Sequence, residues 1–192
     1  MKRLFDFCFA LTSLILLSPL MIVVSIVIRL TSKGPCFFVQ KRVGKFQREF
    51  RLYKFRTMNI DAERQKADLL HLNERDGPAF KMENDPRVTK IGHFLRKHSI
   101  DELPQLINVL KGEMSLVGPR PSLVEEAKQL REWHKTRFQV TPGLTCLWQI
   151  HPDRNMCFDE WMDLDLRYIE ERNFLMDLKI ILLTIPVVFR GH

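Results

Sequence analysis

Residues 93–121 read His93-Phe-Leu-Arg96-Lys-His-Ser99-Ile-Asp101-Glu102-Leu-Pro104-Gln-Leu-Ile-Asn-Val-Leu-Lys-Gly112-Glu-Met-Ser-Leu-Val-Gly118-Pro-Arg120-Pro121. Two carboxylates, Asp101 and Glu102, stand side by side just after the basic run Arg96, Lys97 and His98. An apolar stripe at helical spacing follows, through Leu103, Leu106, Ile107 and Leu110. Lys111-Gly112 predicts the end of that helix, a cation and then the residue that accepts a left-handed backbone without strain. Gly118-Pro119-Arg120-Pro121 closes the stretch as a rigid turn presenting one guanidinium.

Two readings of the acidic pair stand open. Ser99-Ile100-Asp101-Glu102 fits a capping box, with Ser99 as the cap and Glu102 reaching back to it, while Asp101 complements the positive end of the helix. Pro104 disturbs that geometry, because counted from a Ser99 cap it falls where a backbone donor is already needed. The helix then begins later and the pair lies in its approach. Both placements put the carboxylates near backbone donors, where phosphate also binds, and both predict that Asp101 stays ionised at neutral pH.

Three blocks in order give the chain a family resemblance. The run from Leu95 to Pro121 is similar to the signature of the bacterial sugar transferases, the monotopic polyprenyl-phosphate phosphoglycosyl transferases. Tyr53-Lys54-Phe55-Arg56-Thr57-Met58 matches upstream, and Thr141-Pro142-Gly143-Leu144-Thr145 with Leu147-Trp148-Gln149 matches downstream. The resemblance covers essentially the whole chain.

With 192 residues, the chain reads as one domain plus a membrane element. Its net charge of +7 asks for an anionic partner, and nucleic acid, anionic lipid and nucleotide phosphate all satisfy that requirement. Cys8, Cys36, Cys146 and Cys157 show no Cys-x-x-Cys spacing, so reduced thiols in a cytosolic setting are expected. Cys146, His151 and Cys157 fit no zinc pattern. With no P-loop or dinucleotide fingerprint, neither an NTPase nor a Rossmann enzyme is supported.

From Phe7 to Ile28 the chain is apolar. It is too long for a signal peptide and lacks a small-x-small cleavage site. At 1.5 Å per residue it is long enough to span the hydrocarbon layer. Ser18-Pro19 sits at mid-run, where proline removes a backbone bond, and cations flank both ends, so the positive-inside rule assigns no orientation. Spanning and re-entry stay open on residues alone; the resemblance implies re-entry through a helix broken at Ser-Pro.

Beyond this run, strands are expected over Cys36–Val43 and Phe50–Met58, joined by a turn near Gly44. The second strand alternates in side-chain character. A surface helix is expected over Asp61–Leu72, a strand or turn into a short helix over Val88–Lys97, and a helix over Ser122–Phe138 with Ser122 and Glu125 as its capping box. Phe158–Arg172 predicts a helix with Trp161, Leu164 and Tyr168 on a core or interfacial stripe. Phe174–Phe189 reads as an amphipathic helix, interrupted by Asp177, Lys179 and Pro186. The fold class is therefore α/β with a β-hairpin and amphipathic interfacial helices, and the resemblance implies residues 1–30 as a broken, re-entrant membrane helix and 31–192 as a compact cytoplasmic catalytic domain.

The resemblance implies an enzyme that moves a sugar phosphate from a UDP-sugar to polyprenyl phosphate at the bacterial inner membrane, with no nucleic acid partner. It further implies that Asp101 is nucleophile and Mg²⁺ ligand with Glu102 as its partner, and that Arg96, Lys54, Arg56, Arg120 and Arg154 bind phosphate or substrate. A carboxylate approaching a diphosphate is an anion meeting an anion, so guanidinium groups and a hard cation suit the chemistry. Two departures from the family fall where sugar or nucleotide contacts are expected. Cys146 replaces a common glycine, and the loop His151–Asn155 has Pro152-Asp153 and one residue more than usual. The rival reading is a non-catalytic, membrane-tethered basic module that binds nucleic acid or anionic lipid, its aromatics Phe37, Phe38, Phe46, Phe50, Tyr53 and Phe55 mimicking a stacking surface.

Overall fold

A computed structural model describes residues 1–74, 76–80, 82–153 and 156–190. Its first element, helix α1 (Lys2–Thr31), runs without interruption through Pro19, so the break expected at Ser18-Pro19 is corrected. The Ser18 hydroxyl donates to the Ile15 carbonyl at 2.8 Å, the acceptor that the missing Pro19 N–H would leave empty. Among the described residues α1 is the one helix long and apolar enough to cross a membrane, and only 11% of its apolar window is buried against the protein.

Strands β1 (Phe37–Val43) and β2 (Glu49–Phe55) form the expected hairpin, antiparallel, with Phe38 opposite Lys54 and Val39 opposite Tyr53. β2 ends three residues before the expected Met58. Surface helix α2 (Ala62–Leu69) follows, and then α3 (Lys90–Lys97), capped by the Thr89 hydroxyl on the Gly92 N–H. Gly92 has a steric reason: a Cβ there would lie 2.0 Å from the Thr57 carbonyl oxygen.

After α3 the backbone turns at Ser99, whose φ of 53° is left-handed, and enters a 3₁₀ helix over Ile100–Gln105. Helix α4 (Leu106–Lys111) starts only beyond Pro104 and ends on Gly112 at φ 80°. The Ser99 capping box therefore does not form, and the acidic pair sits in the approach. Short strands complete the frame. β3 (Ser115–Val117) pairs in parallel with β5 (Gly143–Thr145), and β4 (Ser122–Leu123) adds antiparallel to the free edge of β1. The long helix expected from Ser122 is thus a strand, a short helix α5 (Val124–Lys128) and a 3₁₀ segment Trp133–Gln139. Its first-turn carboxylate bond comes from Glu126, which accepts the Leu123 N–H at 2.8 Å, not from Glu125.

Two helices close the chain, α6 (Phe158–Glu171) and α7 (Phe174–Arg190). Trp161 and Tyr168 are core, as the stripe predicted, but Asp165 is buried beside them. One core cluster joins Ala10 of α1 to Leu52, Leu106, Val109, Leu116, Tyr168 and Ile180. Another joins Val24 and Ile28 of α1 to Phe55 and Leu95. Both ends of α1 are therefore part of the folded domain. Arg3 donates to the last carbonyls of α4, on Val109 and Leu110, and Asp6 accepts from Ser115 and the Leu116 N–H. At the other end Arg56 donates to the Ser32 and Lys33 carbonyls. Between these anchors Leu11, Ile15, Leu16 and Leu20 are exposed.

Candidate active site

Asp101 and Glu102 are held on the 3₁₀ helix because Pro104 delays the α-helix and Ser99 supplies the left-handed turn into it. A polar side chain fixes the strand opposite. Asn108, fully buried in the apolar face of α4, donates to the Arg51 carbonyl at 2.6 Å and to Glu113 at 2.7 Å, and accepts the Tyr53 N–H at 3.2 Å. Those bonds lock β2 against α4 on either side of Leu52. They bring Lys54 to the acidic pair, its Nζ 2.6 Å from Glu102 Oε1 and 4.0 Å from Asp101 Oδ2. Arg120, from the rigid turn, places Nη2 3.3 Å from the same Glu102 oxygen.

The two neighbouring carboxyls are electrostatically unlike. Burial alone would raise both. At Glu102 the Lys54 ammonium and the Arg120 guanidinium outweigh burial and hold the carboxyl at about 2. At Asp101, which is 7% exposed, burial wins over Lys54, and the Glu102 charge adds to it, so the carboxyl is pushed up to about 6. Burial thus overrides the helix-start effect that was expected to hold Asp101 low, although the ionised form still dominates at pH 7. Among the described residues no donor hydrogen-bonds the Asp101 carboxylate. A pair whose environments drive the two groups apart is the pattern of divided chemical roles.

The remaining candidates separate. Arg96 donates from Nε to the Thr57 hydroxyl at 2.9 Å, and among the described residues its two terminal nitrogens hydrogen-bond nothing further. Burial lowers its pKa, and the Asp101 and Asp85 charges act against that. Arg56 does not join the site; it is 7% exposed and its guanidinium caps the C-terminal end of α1. Arg154 lies outside the described residues. Sequence reasoning passed over Asn108, although a polar residue amid Leu106, Ile107, Val109 and Leu110 was a visible signal.

Among the described residues no group of three or more His, Cys, Asp or Glu side chains gathers to cage a metal. Mg²⁺ is commonly held otherwise, by one or two carboxylates with substrate phosphates completing the shell. A buried carboxylate with no hydrogen-bond donor among the described residues, its pKa raised by burial against the pull of Lys54, Arg96 and Arg120, fits that mode.

The profile described as bacterial sugar transferase matches residues 1–191. A galactosyl transferase, CpsE, of Streptococcus agalactiae serotype III is 54% identical over 82% of the chain, which spans 35% of that protein. An exopolysaccharide production protein, ExoY, of Sinorhizobium fredii is 37% identical over 97% of the chain and 84% of its own length. The UDP-glucose:undecaprenyl-phosphate glucose-1-phosphate transferase of Escherichia coli is 38% identical over 100% of the chain and 40% of its own length.

Proposed function

Because the chain belongs to the bacterial sugar transferase family, we propose that it transfers a sugar 1-phosphate from a UDP-sugar to polyprenyl (undecaprenyl) phosphate, releasing UMP. The substrate classes follow the name of the Escherichia coli relative. The observation that carries the chemistry is Asp101, a buried carboxylate with no hydrogen-bond donor among the described residues, set beside two cations that Glu102 anchors. A largely buried, ionised carboxylate that no hydrogen bond occupies is an oxygen nucleophile in need of an electrophile.

In the first half of the reaction an Asp101 oxygen attacks the phosphorus that carries the sugar. The bond from that phosphorus to the bridging oxygen breaks, its electron pair leaves with UMP, and a phosphosugar ester remains on Asp101. In the second half an oxygen of polyprenyl phosphate attacks the same phosphorus, and the ester bond to Asp101 breaks and restores the carboxylate. Glu102, already ionised and occupied by Lys54 and Arg120, serves to hold those cations against phosphate oxygens rather than to take a proton. Arg96, with its free terminal nitrogens, takes a further phosphate group, as the planar guanidinium does bidentately. Mg²⁺ held by Asp101 would supply positive charge against the diphosphate.

The same proposal places residues 1–30 in the cytoplasmic face of the bacterial inner membrane, with 31–192 as a cytoplasmic catalytic domain. Thirty helical residues extend about 45 Å, against a hydrocarbon layer of about 30 Å. A helix crossing that layer cannot keep both ends docked on one water-soluble domain. Here both ends are docked and the apolar middle is exposed to lipid, which supports an unbroken helix seated in one face of the membrane rather than one that crosses it.

The test of the chemistry uses UDP-sugar alone. Wild type should release UMP in a burst of roughly one equivalent per enzyme and gain the mass of a sugar phosphate on the peptide holding Asp101. Asp101→Asn should do neither. UMP appearing only once polyprenyl phosphate is added, with no adduct, would establish direct attack by the acceptor instead.

A further inference from the structure

The turn that presents Arg120 cannot hold itself. Pro119 and Pro121 have no N–H to donate, and the residues around them are buried, so the carbonyls of the turn need donors from elsewhere. Three successive carbonyls each find one from a different element. The Gly143 N–H donates to Pro119 at 2.9 Å, Arg137 Nη2 donates to Arg120 at 2.5 Å, and Arg42 Nη1 donates to Pro121 at 3.1 Å.

Of the two side-chain donors, Arg137 is the more deeply buried, its side chain 3% exposed against 15% for Arg42. The same Nη2 that donates to Arg120 lies 2.8 Å from Asp165 Oδ2, itself 1% exposed. The other arm faces the Met162 sulfur at 3.4 Å, and the guanidinium lies 5.8 Å from the centre of the Trp161 ring. Nη2 thus hydrogen-bonds the backbone of Arg120 while its charge faces Asp165 in an ion pair that meets no hydrogen-bond geometry. A buried ion pair gives little net stability over an apolar pair of the same volume. What an apolar pair cannot do is donate a hydrogen bond to the Arg120 carbonyl.

We propose that Arg137 and Asp165 are positioning residues, which through the Arg120 carbonyl fix the backbone that aims the Arg120 guanidinium at Glu102 and the phosphate beside it. This inference rests on the transferase reading above. It separates by task two arginines that meet at one turn, Arg120 facing substrate and Arg137, from the 3₁₀ segment, holding the turn's backbone.

Because Arg137 acts only through Arg120, its loss should be silent once Arg120 is gone. Asp165→Leu with Arg137→Met fills the space with apolar side chains and should keep the apparent Tm within a few degrees of wild type. Turnover measured by UMP release should fall about 10- to 100-fold, the scale of a misplaced binding group. In an Arg120→Ala background the same pair of changes should cost less than about twofold, the signature of coupled rather than independent sites. Asp165→Asn, which preserves shape, gives a second reading if the apolar pair fails to fold. It should lose activity in the Arg120 enzyme and little in the Arg120→Ala enzyme. Undiminished turnover in these variants, or losses that multiply with Arg120→Ala, overturns the positioning role. A wild type that releases no UMP overturns the transferase reading itself, and the two failures are distinct.

Discussion

Lys54→Met removes the one ammonium, among the described residues, within 4.0 Å of both carboxylates, and the consequence for Asp101 can be worked from distance. At 4.0 Å and an effective dielectric of about 20, a unit charge pair is worth about 4 kcal/mol. At 1.36 kcal/mol per pKa unit that is about three units, and half as much if Lys54 spends its charge equally on Glu102. An Asp101 carboxyl that starts at about 6 would then titrate between about 7.5 and 9, by the same conversion. Its ionised fraction at pH 7 would drop about four- to ninety-fold, and turnover by a nucleophilic carboxylate with it. Alkali should restore what the mutation removes, since the nucleophile is merely protonated. The assay is UMP release from pH 5 to 9.5 at saturating donor and magnesium, comparing the acidic limbs of wild type and variant. A limb displaced upward by 1.5 to 3 pH units is expected. Bound magnesium can move both starting points, so the displacement is the quantity to read. A uniform loss at every pH, with no displacement, would refute the argument and make Lys54 a phosphate ligand only.

Arg96→Lys keeps the charge but not the fork that bonds Thr57 with one nitrogen and leaves two for phosphate; it should lose most activity with little change in apparent Tm, and near-normal turnover would remove Arg96 from the site. Arg56→Met strips donors from the Ser32 and Lys33 carbonyls. A cost of about 2–3 kcal/mol and a drop of roughly 4–10 °C in apparent Tm should follow, visible by a thermal shift in detergent. A protease-cleavable tag placed before Met1 should be cut in inside-out vesicles and spared in spheroplasts; cleavage in spheroplasts would mean that α1 spans.

Much of the site was legible because it rests on chain-local signals. The delay imposed by Pro104 and the left-handed stop at Gly112 both follow from backbone sterics, and both are where the sequence put them. Errors arose where tertiary partners decide. Ser122 is a good helix cap, yet the free edge of β1 takes it as a strand residue opposite Val43. Ser99 has a capping side chain but a left-handed backbone, which cannot aim it. The resemblance implied a phosphate- or substrate-binding role for both Lys54 and Arg56, but β2 stops at Phe55, and the Arg56 guanidinium turns to the end of α1. Asp165 and Arg137 were unreadable for a different reason. A charged residue on a helix normally signals solvent, and only the packed structure shows two of them buried against each other.

Lys54 and Arg56 are two residues apart, which in extended chain is about 7 Å. One grips the acidic pair and the other grips the end of the apolar helix. On the proposed reading there is no slack joint between lipid and chemistry, and the clamp works as a ruler. The altitude of Asp101 over the bilayer is set by a short rigid strut, so the long acceptor must present its phosphate at one height, and a soluble donor is free to arrive from above.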